Sequence, residues 1–155
     1  MRTRTGALTF AVVLAAVGVC FGGQDMNMGT WKLNEAKSQI GPGTPKNTTV
    51  VCAAAGDNLK VTVDGVDAKG APSHNEWTGK FDGKDYPVTG DSASDTRAYK
   101  RLNDHTLALT GKKGGKITMT GLIVVSEDGK TRTVNVKLSN AKGKGISSYA
   151  VYDKQ

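Results

Sequence analysis

The sequence predicts an all-β chain closed into an antiparallel up-and-down β-barrel of about nine or ten strands, behind an N-terminal signal peptide. Three observations carry this expectation. Short runs rich in Thr and Val alternate apolar and polar residues with the period of two of a half-buried strand. Asp-Gly, Gly-Gly and related turn signals separate the runs every 8 to 12 residues, the spacing of a barrel or sandwich. Helical periodicity is almost absent from the mature chain. Closure removes exposed strand edges; a two-sheet sandwich is the alternative.

The chain has 155 residues, enough for one domain. Residues 1–23 read as a secretory signal. Arg2 and Arg4 make a positive start, Ala7 to Val19 is apolar apart from Thr9 and Gly18, and Gly22 and Gly23 offer small residues for cleavage. The apolar run is 13 residues long, short of the roughly 20 that span a bilayer. No other stretch is apolar enough to be a transmembrane span. Cys20 raises lipid anchoring, but Val19 stands where an acylated cysteine needs a small residue before it. The expectation is an exported monomer, periplasmic or extracellular, with residues 24–155 as a single barrel domain. Without Cys20 the one remaining thiol is Cys52, set in an apolar run and read as a core residue.

Strands are expected at about 30–34, 48–54, 58–64, 72–81, 86–89, 96–102, 105–111, 116–126, 130–139 and 146–153. Gly56-Asp57-Asn58, Asp64-Gly65, Lys69-Gly70, Asp82-Gly83-Lys84, Lys113-Gly114-Gly115 and Asp128-Gly129-Lys130 supply the turns between them. Segments 35–47 and 88–95 are the longer irregular stretches. The first holds one helical turn, Asn34 to Ser38, and lies over a barrel mouth. Val61, Trp77, Phe81, Tyr99, Leu107, Met119, Ile123, Val136 and Tyr152 form the expected inward set. In 117–126, Ile117 shares a face with Met119, Ile123 and Val125. Leu122 and Val124 lie on the other face, so this strand is expected to be buried on both sides near its end.

From Arg97 onward the chain carries 12 basic residues against four acidic ones, an excess of +8. Such a surface attracts anionic partners, and in an exported protein an anionic envelope component is the expected one rather than nucleic acid. The competing reading is a solvated face whose lysines block edge pairing.

The opening Gly29-Thr30-Trp31-Lys32-Leu33 resembles the Gly-x-Trp signature of the calycins, the superfamily of lipocalins and fatty-acid-binding proteins. It is also similar to the start of small exported bacterial proteins. Tyr99 to Leu107 resembles a late hairpin of fatty-acid-binding proteins, and Ser148 to Lys154 resembles their last strand. The resemblance implies that Gly29 and Trp31 close the barrel base, with a cation from Lys154, or else Arg132, over the Trp ring. It also implies a small-molecule interior. Fatty-acid-binding proteins hold a carboxylate with Arg-x-Tyr on the last strand. Ala150-Val151-Tyr152 stands there instead, so little preference for a carboxylate is expected, and the helical lid is missing too.

The residues offer little for catalysis. His105 follows Asn103-Asp104 and reads as a turn residue. His74 and Glu76 share a strand face, half of a metal or acid–base pair without a third ligand. No nucleophile elbow, calcium loop or phosphate loop is present. The expectation is a non-enzymatic protein with no catalytic residue, metal or cofactor. It would bind a small apolar or amphipathic molecule through Trp77, Phe81, Tyr99, Met119 and Tyr152. The alternative is an envelope structural or interaction module working through its basic surface.

Overall fold

The computed structural model describes residues 25–139 and 145–155. The expected signal peptide and Cys20 lie outside the described residues. Ten strands follow one another: β1 (Gly29–Leu33), β2 (Lys46–Ala55), β3 (Asn58–Val66), β4 (Pro72–Gly79), β5 (Tyr86–Thr89), β6 (Thr96–Arg101), β7 (Thr106–Lys113), β8 (Lys116–Val125), β9 (Thr131–Ser139) and β10 (Gly145–Lys154). Each pairs antiparallel with its neighbours in sequence, and β10 pairs with β1, which closes the barrel. The sandwich alternative is thereby excluded.

Local chemistry explains the turns. Gly114 and Gly115 have φ of 56° and 77° between β7 and β8, a region that side chains with a Cβ rarely adopt. Between β1 and β2 the expected helical turn is a 3₁₀ turn, Glu35–Lys37, whose N-cap Asn34 accepts a side-chain hydrogen bond from the Lys37 amide.

Alternation places Val61, Val63, Trp77, Leu107, Leu109, Ile123, Val125 and Tyr152 in the interior, all buried. Two expectations about β8 are corrected. Gly111 stands opposite Met119 but Lys112 opposite Ile117, so the register slips by one residue at a bulge. A one-residue slip turns side chains over, and Ile117 is 58% exposed. Leu122 and Val124 are also exposed, at 47% and 39%. They point outward, and β8 is not buried on both faces. The outside of a single closed barrel has no second layer, and the 3₁₀ turn packs on β10 rather than β8.

The two ends of the barrel differ. At one end the segment before β1 turns inward. Asn27 is fully buried, and its carbonyl accepts a 2.9 Å hydrogen bond from Trp31 Nε1. Asp25 pairs with Arg101 beside it. This end is the base. The connections β1–β2, β3–β4 and β5–β6 lie at the other end, the mouth.

Candidate functional site

The interior divides into an aromatic cluster and a cavity. Trp77 on β4 is the centre of the cluster. Its ring centroid lies 4.7 Å from Tyr99, 5.7 Å from Tyr86 and 6.2 Å from Phe81. Edge and offset contacts of this kind stabilise beyond area burial. The indole N–H donates to the Arg97 carbonyl at 2.9 Å, so the buried polar atom is satisfied. Gly79 makes the packing possible: a Cβ there would sit 2.5 Å from the Tyr86 ring.

Toward the mouth lies a cavity of about 120 Å³. Met119, Val134, Val136, Leu138, Ala150 and Ile40 supply its apolar lining; Asn75, Asp91, Arg97, Ser148 and Tyr152 supply polar groups. Thr44 and Pro45 of the β1–β2 connection and residues 90–93 of the β5–β6 connection complete its rim. Of the residues expected to bind ligand, Met119 and Tyr152 line this cavity. Trp77, Phe81 and Tyr99 do not; they pack on one another beside it. Tyr152 donates from its hydroxyl to the Asn47 carbonyl at 3.2 Å. Burial pushes its pKa up to about 12, with a smaller opposing effect from Arg132.

Arg97 is the member that sequence reasoning missed. Counted there as surface charge, it is 8% exposed and lines the cavity. Its Nη2 donates to Asp91 Oδ2 at 2.7 Å and its Nη1 to Asn75 Oδ1 at 3.0 Å. Its buried Nε has no hydrogen-bond partner among the described residues. Burial opposes the charge, but Tyr99 and Asp91 outweigh it and hold the pKa above its ordinary value. The signal was present: Arg97 shares the parity of Tyr99 on β6, and Tyr99 was expected to point inward.

At the base, Lys154 Nζ lies 5.1 Å from the Trp31 ring centroid, and the Arg132 guanidinium carbon lies 5.9 Å from it. Both candidate cations therefore reach the ring. Gly29 completes the arrangement, since its φ is +113° and a Cβ would meet Lys154 Cε at 2.9 Å. Arg132 is 4% exposed. It donates to Cys52 Sγ at 3.6 Å and has no ion pair among the described residues. Cys52 is a buried free thiol, as its apolar setting implies.

His74 gains a neighbour that spacing alone did not show. Asp64 stands opposite it on β3, with Oδ1 2.6 Å from Nδ1, and Glu76 Oε1 lies 3.6 Å from Nε2. Lys60 pairs with the same Glu76 oxygen at 2.7 Å. The result is an exposed ion-pair network. Among the described residues no group of three or more His, Cys, Asp or Glu is arranged to hold a metal ion. His105 sits between β6 and β7, its Nδ1 3.2 Å from the Val125 carbonyl.

The chain matches no protein-family model and no curated protein. Among the described residues no helix is long and apolar enough to cross a membrane.

Proposed function

We propose that the chain is an exported, lipocalin-like, non-enzymatic protein that holds a small amphipathic molecule in the mouth half of its barrel. The two-sided cavity is the observation that carries this reading. β4 and β9 are five positions apart in the ring of ten strands and so face each other. Asn75 comes from β4, with Arg97 two strands along, while Val134, Val136 and Leu138 come from β9. An apolar wall facing a few placed polar groups is the usual makeup of a small-molecule site. Burying about 200 Å² of apolar ligand surface contributes roughly 5 kcal/mol before association costs. On apolar burial alone the affinity is then no tighter than a few hundred micromolar, and hydrogen bonds to the placed polar groups must supply the rest.

The test is native mass spectrometry and organic extraction of protein purified from its own host. A co-purifying small molecule, lost when Val136→Trp fills the cavity, is expected. An empty barrel that ignores a panel of lipids and small aromatic compounds overturns the reading.

The alternative, binding of an anionic envelope component through a basic surface, loses support from the placement of the cations. Arg97 and Arg132 lie inside the barrel. Arg101 pairs with Asp25 and Lys112 with Asp85. Lys100, Lys113, Lys116, Lys130, Lys137 and Lys154 remain exposed, and Lys142 and Lys144 lie outside the described residues. If they form a docking face, binding to anionic vesicles will fall steeply with salt, because exposed charges are screened over about 8 Å at physiological ionic strength.

A further inference from the structure

The cavity wall contains a charged pair. Arg97 and Asp91 meet at 2.7 Å, with side chains 9% and 13% exposed, and both line the cavity. Asp91 comes from the β5–β6 connection. Its Oδ1 accepts from the Ala93 amide at 2.9 Å, which fixes the carboxylate in place. Asn75 holds the guanidinium from the other side at 3.0 Å. These bonds use two of the five N–H donors that an arginine offers.

We infer that the cavity selects a neutral carbonyl compound, an amide, ester or lactone with a short apolar tail, over the carboxylate of the same shape. This deepens the small-molecule reading and rests on it. The inference follows from charge balance. Arg97 is already neutralised by Asp91, so a ligand carboxylate would bring a second negative charge beside a buried one. Like charges at such a site are costly, and desolvation of the incoming carboxylate adds to the cost. A neutral carbonyl accepts a hydrogen bond from the second N–H of Nη1 or Nη2 without adding charge, while the buried Nε lies out of reach. The Ser148 hydroxyl supplies a further neutral partner in the lining, and the Tyr152 hydroxyl, whose proton goes to Asn47, can accept from an amide N–H. The size of the ligand follows from the volume. A cavity of 120 Å³, against the roughly 150 Å³ that takes up benzene, encloses about five non-hydrogen atoms, and a longer tail extends through the rim.

Hexanamide and hexanoate have the same number of non-hydrogen atoms and differ in charge near pH 7.5. Calorimetry, backed by the NMR shift of the Met119 methyl group, measures both with the purified protein. Hexanamide is expected to bind at least tenfold more tightly. In Asp91→Asn the guanidinium loses its counter-charge, so the order is expected to reverse in favour of hexanoate. Hexanoate binding as well as or better than hexanamide to the unaltered protein overturns the inference while leaving the pocket intact. That comparison needs no variant, so it stands even if Asp91→Asn fails to fold. A folded Asp91→Asn protein with an unchanged preference also overturns it. If neither probe shifts the Met119 methyl at millimolar concentration, the pocket reading falls together with the inference.

Discussion

Trp31 and Lys154 stand directly opposite each other where β1 meets β10, and the Lys154 ammonium lies 5.1 Å from the indole ring. This pair joins the two ends of the described barrel. Trp31 is fully buried, so Trp31→Ala is expected to cost about 3–5 kcal/mol in chemical denaturation. Lys154→Met keeps the packing stem and loses the charge, and should cost about 1 kcal/mol or less. Deleting residues 148–155 removes most of β10 and leaves β1 and β9 unpaired. A cooperative, stable domain lacking those residues would show that closure is dispensable.

Alkaline stability should report the burial of Tyr152. Its pKa is pushed up to about 12 in the folded chain, against about 10 when unfolded. Between these values the unfolded chain has released the proton while the folded chain retains it. Stability therefore falls as pH rises from about 10 to 12, by roughly 2–3 kcal/mol in total. Tyr152→Phe should flatten that part of the pH–stability curve. An equal fall in the Phe variant would place the effect elsewhere.

His74 should titrate above its ordinary 6.5. The Asp64 hydrogen bond is the main cause, opposed by desolvation and aided by the charges of Asp64 and Glu76. Lys60, which pairs with Glu76, faces the same cluster. The stabilising contribution of protonated His74 is fully present below the unfolded pKa and is lost as pH rises through the raised folded value. Proton NMR of the imidazole gives the inflection directly. Asp64→Asn should move it back toward 6.5; an unmoved inflection would mean that the 2.6 Å contact does not persist in solution.

Arg132 offers a test of buried charge. It has no carboxylate ion pair among the described residues, and its Nε lacks a hydrogen-bond partner there. Replacing such a group with an apolar side chain of similar length removes its desolvation cost. Arg132→Met should leave the urea midpoint unchanged or raise it, with a gain of up to about 3 kcal/mol. A loss of that size would instead show that the contacts with the Trp31 ring and Cys52 outweigh the desolvation cost.

The order of the strands was legible from residues alone, whereas the choice between barrel and sandwich was made by the pairing of β1 with β10. Asp128-Gly129 and Gly114-Gly115 mark turns because few other pairs tolerate their backbone angles. The alternation of Leu59, Val61 and Val63 fixes a face because a strand has a period of two. Both signals are local, so they survive without knowledge of the fold. The same locality misled the reading of β8. A bulge opposite Lys112 is a property of two strands together, and it turned Ile117 outward. Leu122 and Val124 looked like core because hydrophobicity does not say whether a second layer covers a strand.

The candidate site depended on the tertiary structure. Asn75, Asp91 and Arg97 lie on β4, a connection and β6, and only the curvature of the closed sheet turns them toward Val134 and Val136 across the ring. Counting charges along the chain assigned Arg97 and Arg132 to the surface, because arginine is usually exposed. Where the chain turns and which positions alternate follow from backbone sterics and the side-chain period, and both can be read residue by residue. Which of the inward residues fill the interior and which border empty space was decided by the packing of Trp77, Tyr86 and Tyr99 against Gly79. That packing fills one part of the barrel and leaves the mouth end open beside a buried arginine, a balance of volumes that no single strand encodes.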